Sequence, residues 1–443
     1  MGVPPAAASD GQTAPAPGWQ ESIDTAKRLE RTDISLHEWQ KFGFGTARAG
    51  DFAALAAAPD RPLAALPRLE IAALAPGEFW ERFERPGTPC VIRGIPEAEK
   101  WGAWAGERWT DLCRRYPRCA FKVGKTDDGR AVRIRLEDFA EYMAVQKDDS
   151  PLYLFDNKFG GARDGVSEQL MREYKVPSLF PDDYMALAGE EDRPPYRWIA
   201  VGPRRSGTVM HQDPLCTSAW NTLLVGRKRW VLMSPDTPRQ VAKCKTVMRP
   251  GDDDEAVNVF IDLLPRMREA GVQMVEFVQY PGETVFLPGN WWHCVVNLDD
   301  TVAVTQNYCG RHNFDRVWRA ARHERPCWSA KWLGAMQSQH RALAEWACRM
   351  NADDGFDLEA LLERNKERRL RRRRRRTLRD LKRDERRTLA KNGQFDEDAW
   401  WRERKRQEQE EGSSSSSSTV STSSSSESQS SSENSTTPST GSQ

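Results

Sequence analysis

Nowhere in this 443-residue chain do about 18 apolar residues run together, so no segment is expected to span a bilayer as a helix. The opening MGVPPAAASDGQTAPAPG lacks a charged segment followed by an apolar stretch, so it does not read as a signal peptide. Ala6 stands where N-myristoylation needs Ser or Thr. No CxxC occurs, and the nine cysteines are scattered and odd in number, so free thiols in a reducing compartment are expected. Net charge is nearly absent too: 66 Lys and Arg against 65 Asp and Glu give +1, an average that alone would argue against a nucleic-acid binder.

That average hides unequal parts. From Arg364 to Lys391 stand 16 basic and 4 acidic residues, a net of +12, which leaves −11 on everything else. Ser413 to Gln443 contain 18 serines in 31 residues and cannot form a core. The expected organisation is an Ala/Pro-rich extension (1–20), a mixed helix and hairpin part (21–150), a β core (151–311) and C-terminal helices (312–355). A basic helical segment with an Arg run (356–411) and a disordered Ser-rich tail (412–443) follow.

Within that frame, PGEFWERFER (Pro76–Arg85) predicts a short helix. CAFKVG and RAVRIRL predict a hairpin around Asp127-Asp128-Gly129, followed by a helix over Glu137–Gln146 and a short strand, PLYLFD. From Tyr196 to Cys309 the chain reads as short strands: YRWIAVG, GTVMHQD, SAWNTLLV, KRWVLMS, VEFVQY, ETVFLP, HCVVNL and VAVTQNY. A helical insertion near Glu255–Glu269 interrupts them. Such strands, with Gly/Pro/Asp turns between, favour a β-sandwich or jelly roll over a parallel sheet. After Phe314 the pattern turns helical, over FDRVWRAARHE and then about Ala330–Met350.

Chemistry concentrates in three places. In His211-Gln212-Asp213, strand alternation sends positions i and i+2 to one face, and His293, opening HCVVNL, offers a third ligand. Two His and one carboxylate leave coordination positions open, the arrangement non-haem Fe(II) oxygenases use. The tripeptide alone is weak: with six His, an HxD arises by chance roughly one time in three. The second place is SAWNTLLV-GR-KRWVLM. A two-residue Gly226-Arg227 turn would pair Val225 with Lys228 and put Asn221, Leu223, Val225, Lys228, Trp230 and Leu232 on one face. A lysine on a core-facing parity is costly unless it meets an anion, although most lysines near turns are solvated. The third is PGETVFLPGNWWH, where two Pro-Gly turns deliver His293 behind Trp291 and Trp292, which packing alone would explain. Thr305 and Asn307 share a parity and are candidates for the same cavity, though single polar residues on a strand usually face water.

The blocks GPRRSGTVMHQDPLCTSAWNTLLVGRKRW and PGETVFLPGNWWHCVVNLDDTVAVTQNYC resemble the Jumonji-C oxygenases, and DDSPLYLFD, YKVP, RPPYRW and the serine-rich tail fit a nuclear branch of that family. The resemblance runs from about Ala26 to His340. It implies a mainly β fold, a double-stranded β-helix (jelly-roll, cupin-like) with flanking helices. It also implies Fe(II) on His211, Asp213 and His293. It places the distal carboxylate of 2-oxoglutarate on Lys228 and Thr208, with Asn221, Thr305 and Tyr153 nearby, O₂ as cosubstrate and ascorbate as reductant. The sequence departs from the family pattern at Gln212 and Cys216, where Ile and Gly are expected. Gln212 should point away from the metal by alternation, whereas Cys216, like Cys294 beside a ligand, stands closer to the site.

The activity implied is 5-hydroxylation of lysine in arginine/serine-rich nuclear proteins such as splicing regulators, with demethylation of N-methyl arginine in histones or other proteins as the alternative. A third reading makes the chain an RNA- or chromatin-bound scaffold with an inactive cupin-like domain, and the complete triad with Lys228 argues against it. Arg371–Arg376 is compatible with nuclear import or an RNA-contacting arm, and phosphorylated serines of the tail would pair with it. The nucleus is the expected location, with the cytoplasm a second. No membrane partner is expected, and a homo-oligomer is compatible with the sequence.

Overall fold

β-Branched and aromatic residues at alternating positions, closed off by Gly, Pro and Asp turns, fold into strands wherever one face or both can be covered. The computed structural model describes residues 18–59, 66–101, 108–160 and 166–372, with 402 and 406. The described strands are β1 (Arg68–Glu70), β2 (Cys90–Arg93), β3 (Ala120–Lys125), β4 (Ala131–Arg135), β5 (Leu154–Asp156), β6 (Arg197–Gly202) and β7 (Gly207–His211). They continue with β8 (Ser218–Val225), β9 (Lys228–Met233), β10 (Val275–Gln279), β11 (Glu283–Leu287), β12 (Trp292–Asn297) and β13 (Thr301–Tyr308).

Strands β6 to β13 build the double-stranded β-helix. The larger sheet runs β1-β2-β11-β8-β13-β6-β5, the smaller β10-β9-β12-β7, and β3-β4 form a separate hairpin. All eight residues of β13 are buried, because both faces of that central strand are covered. Between the sheets lie Ala219, Trp230, Leu232, Phe277, Val285, Leu287 and Val295. Outside the larger sheet pack the N-terminal helices and hairpin, including Phe79, Phe83, Phe121 and Phe139 around Trp220. The outer face of the smaller sheet is covered by the expected insertion, helical from Ala256 to Glu269 with a π turn at Val259–Leu263.

The hairpin at Ala120–Arg135, the helix after it (Leu136–Val145) and every strand expected from Tyr196 onward are present. Four local expectations are corrected. β8 and β9 do not pair with each other: β8 lies between β11 and β13, and β9 between β10 and β12. The chain changes sheet at Gly226-Arg227. Gly226 has φ 78°, and a Cβ there would collide with the Asp300 carbonyl. Val225 leaves the inward face, because the β8–β13 register shifts between Val302 and Ala303 and Val225 packs outside the barrel. Asp213 lies beyond the end of β7, in extended backbone that caps a short 3₁₀ turn, rather than on the strand. The C-terminal helix is two helices, Pro326–Gln339 and Arg341–Asp353, broken at His340.

These helices and Phe314–Glu324 form a third core around Trp318 and Trp332, which also holds Leu215. The chain divides into units at Leu362 and Glu363, and residues 363–372 of the second unit are helical. The Arg run beyond Arg372, the serine tail and most of the 1–20 extension lie outside the described residues. No disulfide is present among the described residues, and none of their helices is long and apolar enough to cross a membrane.

Candidate metal centre and cosubstrate pocket

His211 ends β7 and His293 lies opposite it on β12. Their ring centroids are 4.1 Å apart. Asp213 places Oδ1 3.9 Å from Nε2 of each ring, and the three ligand atoms lie within 4.8 Å of one another. Both imidazoles are oriented in the same way. His211 Nδ1 donates to the Val209 carbonyl at 2.7 Å and His293 Nδ1 to the Trp291 carbonyl at 3.0 Å, each two residues back along its own chain. A proton fixed on Nδ1 leaves the Nε2 lone pair free to meet a metal. Burial raises the Asp213 carboxyl while His211 lowers it, and burial holds His293 well below the ordinary imidazole range.

Deeper in the barrel, Lys228 is 1% exposed. Its Nζ donates to the Tyr153 hydroxyl at 2.7 Å and to Asn297 Oδ1 at 2.9 Å. Asn297 Nδ2 donates in turn to Ser206 Oγ at 2.8 Å. Burial alone pushes the ammonium down to about 7, because its partners are neutral. Nearby Thr305 faces Asn221 across the β8–β13 pair and donates to the Trp220 carbonyl at 2.9 Å. The buried Oδ1 of Asn221 has no hydrogen-bond partner.

Thr208 reaches this inner face only through an irregularity. Opposite Cys294 the chain carries two residues, Val209 and Met210, so Thr208 pairs with Val295 and regains the parity of His211. Strict alternation would have sent Thr208 outward with Met210. The structure therefore puts Thr208 and Lys228 on the smaller sheet with His211 and His293, and Asn221 and Thr305 on the larger sheet, with the Tyr153 hydroxyl on Lys228. Sequence reasoning missed Asn297 and Ser206. Asn297 stands four positions after His293 on β12, and alternation counted from that ligand would have found it.

The donor set fits a divalent iron and an acid cosubstrate on two observations. The two Nε2 atoms and one carboxylate converge, a ligand set of the kind that leaves further positions on a metal to cosubstrate and O₂. The pocket beside them holds a buried ammonium without a carboxylate and an amide oxygen without a donor. Gln212 turns away as expected and donates to the Asn290 carbonyl at 2.6 Å. Cys216 is half-buried, with Asn290 beside it.

Comparison with known proteins agrees with this geometry. The JmjC domain, described as a hydroxylase, matches residues 198–308. The chain is 38% identical over 329 residues to the bifunctional arginine demethylase and lysyl-hydroxylase psr-1 of Caenorhabditis elegans, covering 72% of this chain and 80% of that protein. It is 37% identical to the Caenorhabditis briggsae protein of the same name, over 73% and 77%. It is 27% identical to the 2-oxoglutarate and iron-dependent oxygenase JMJD4 of Gallus gallus, over 61% and 63%. With the converging triad and the lysine pocket already in place, these likenesses establish that the chain belongs to the JmjC family of Fe(II)- and 2-oxoglutarate-dependent oxygenases.

Proposed function

We propose that this oxygenase hydroxylates lysine side chains at C5 in arginine/serine-rich nuclear proteins, splicing regulators among them. The observation that carries the oxygenase reading is the pairing of the His211–Asp213–His293 cluster with an uncompensated ammonium at Lys228. When bound, iron with 2-oxoglutarate and O₂ would supply an oxidant that places one oxygen atom of O₂ in a C–H bond, the other going into succinate as the cosubstrate loses CO₂.

The chain's own residues do the positioning. His211 and His293 hold their Nδ1 protons on backbone carbonyls and keep Nε2 aimed at Asp213. Lys228 receives the distal carboxylate, with Tyr153 and Asn297 fixing the ammonium and Thr208 on the same face of the smaller sheet. Asn221 and Thr305 stand on the larger sheet. The buried Trp230 ring lies 6.2 Å from that of His293, tilted by 24°.

The choice of lysine rests on the names of the psr-1 relatives, which also favour a second reading, demethylation of N-methyl arginine. Both follow from one chemistry: hydroxylation of an N-methyl carbon gives a product that loses formaldehyde. Histones are substrates on that second reading. RNA contact through the Arg run, a nuclear location and self-association belong to the same proposal and find support only in the composition of the basic segment.

The test is mass spectrometry of an arginine/serine-rich peptide carrying both lysine and N-methyl arginine. It is incubated with the full chain, Fe(II), ascorbate and 2-oxoglutarate, beside an Asp213→Ala control. One oxygen added to lysine and absent from the control supports hydroxylation, and methyl loss with formaldehyde supports demethylation. Failure to release succinate, with iron and 2-oxoglutarate bound, would return the scaffold reading to the front.

A further inference from the structure

The hydroxylation chemistry leaves several buried carboxyls unused, Glu84 among them. Glu84 ends a π turn, Trp80–Glu84, in the helix expected over Pro76–Arg85, and is 9% exposed. π turns are rare and frequently accompany binding sites. Glu84 Oε1 accepts from the Tyr308 hydroxyl at 2.8 Å and faces His312 Nδ1 at 3.3 Å. The protonation of His312 follows from its other nitrogen. Ser218 Oγ already accepts from Gly289 N at 3.1 Å and Asn313 Nδ2 at 3.2 Å, so its own proton goes to His312 Nε2 at 2.8 Å. The ring is neutral with its proton on Nδ1, and burial holds it down to about 4.

Glu84 thus meets a hydroxyl and a neutral imidazole. No lysine or arginine pairs with it among the described residues, and burial, reinforced by Asp182, pushes its carboxyl up to about 7. A buried carboxyl normally has a cation or several donors. Here it opens instead into a cavity of about 360 Å³ lined also by Phe79, Trp80, Leu179, Asp182 and Arg311. Aromatic and apolar walls beside the buried Glu84 carboxyl fit one cationic side chain. A planar guanidinium suits them better than an ammonium, because it stacks on an indole while making paired hydrogen bonds to a carboxylate. Arg311 opposes a cation at the wall, and Asp182 offsets it.

The cavity also lies at the reactive end of the barrel. Ser218 ties it to the Gly289 loop, and Gln212 ties that loop to the turn bearing Asp213. We propose that this cavity is a second binding site, which takes the guanidinium of an arginine in a basic peptide. The proposal takes its source of arginine from the functional reading above, and its test needs no turnover, so either can fail without the other.

Calorimetric titration of the full chain with N-acetyl-argininamide, and with the neutral N-acetyl-citrullinamide, tests it. The arginine probe is expected to bind at least tenfold more tightly than the citrulline probe. Glu84→Gln should weaken it tenfold or more, and Trp80→Leu, which keeps apolar volume but removes the indole, several-fold. Asp213→Ala should leave it unchanged, which separates this cavity from the catalytic one. Between about pH 6 and about pH 8 affinity should rise as Glu84 ionises; Tyr308, Tyr184, His312, Asp182, Asp183, Cys90 and Arg311 are titratable groups around it, and His312 is neutral throughout. Equal binding of the two probes would overturn the proposal. So would unchanged arginine affinity in folded Glu84→Gln or, should that variant not fold, in Trp80→Leu.

Discussion

Lys228 Nζ donates to Asn297 Oδ1 at 2.9 Å across the paired strands β9 and β12, so an ammonium deep in the barrel rests on a neutral amide. That relationship makes cosubstrate affinity depend on pH. Burial pushes Lys228 down to about 7, whereas a bound carboxylate favours its charged form and raises it again. Below about pH 7 the ammonium is already present and affinity should be flat. Above it a proton must be taken up on binding, so the dissociation constant for 2-oxoglutarate should rise up to tenfold per pH unit. Titrations across this range, with proton uptake read from buffers of different ionisation enthalpy, check both the slope and its sign.

Replacing the same residue separates binding from stability. Lys228→Met removes a charge-assisted contact worth about 1.5–3 kcal/mol, so 2-oxoglutarate should bind roughly ten- to a hundredfold more weakly. The free protein should not lose stability, since a buried cation without a counter-charge is replaced by an apolar chain of similar length. Denaturant unfolding without cosubstrate should give an equal or higher midpoint for the variant. A clear fall would mean that Lys228 carries structural rather than binding weight.

Gly202 tests the support beneath this pocket. A Cβ there would lie within 3.0 Å of Ser206 Oγ, Tyr153 Cδ2 and Asn297 Nδ2, the groups that hold Lys228 in place. These are side-chain atoms, so the fold can yield while the ammonium shifts. Gly202→Ala should therefore raise KM for 2-oxoglutarate several-fold and change kcat less. Steady-state kinetics with saturating iron and peptide distinguish this from a general loss of activity.

Much of this site could be read from the chain, because strand alternation is a strict rule wherever one face is buried. His211, His293, Asn221 and Lys228 followed from parity and from the Pro-Gly turns that time the strands. What escaped depended on breaks in that rule. Thr208 needs the extra residue at Val209–Met210, and Val225 turns outward at the shift beside Val302. The β8–β9 pairing failed because a two-residue Gly-Arg connection fits a hairpin and a corner between sheets equally well. Only the long-range partners β10 to β13 decide between them. Tyr153 comes from outside the sequential core strands, and no local pattern links it to Lys228, 75 residues away.

The turn after Asp213 holds two non-glycine residues in left-handed backbone. Leu215 and Cys216 both adopt left-handed backbone, with φ 58° and 57°, a conformation costing roughly 1–2 kcal/mol for a residue with a Cβ. Leu215 compensates by burial: it is 4% exposed and belongs to the core of Phe314, Trp318 and Trp332. Cys216 is only half-buried and does not belong to that core. The two residues should therefore respond oppositely to glycine. Cys216→Gly relieves the strain at a cost of up to about 1 kcal/mol in unfolded-chain entropy, so its stability should stay level or rise by about 1 kcal/mol. Leu215→Gly relieves the same strain but deletes a buried side chain worth about 2–5 kcal/mol, and should destabilise. Because Leu215 anchors the turn that carries Asp213, that variant should also bind Fe(II) more weakly under conditions where it is still folded. Chemical denaturation and metal titration of the pair check both statements, and a Leu215→Gly protein with unchanged iron affinity would show that the C-terminal helices do not hold the ligand in place.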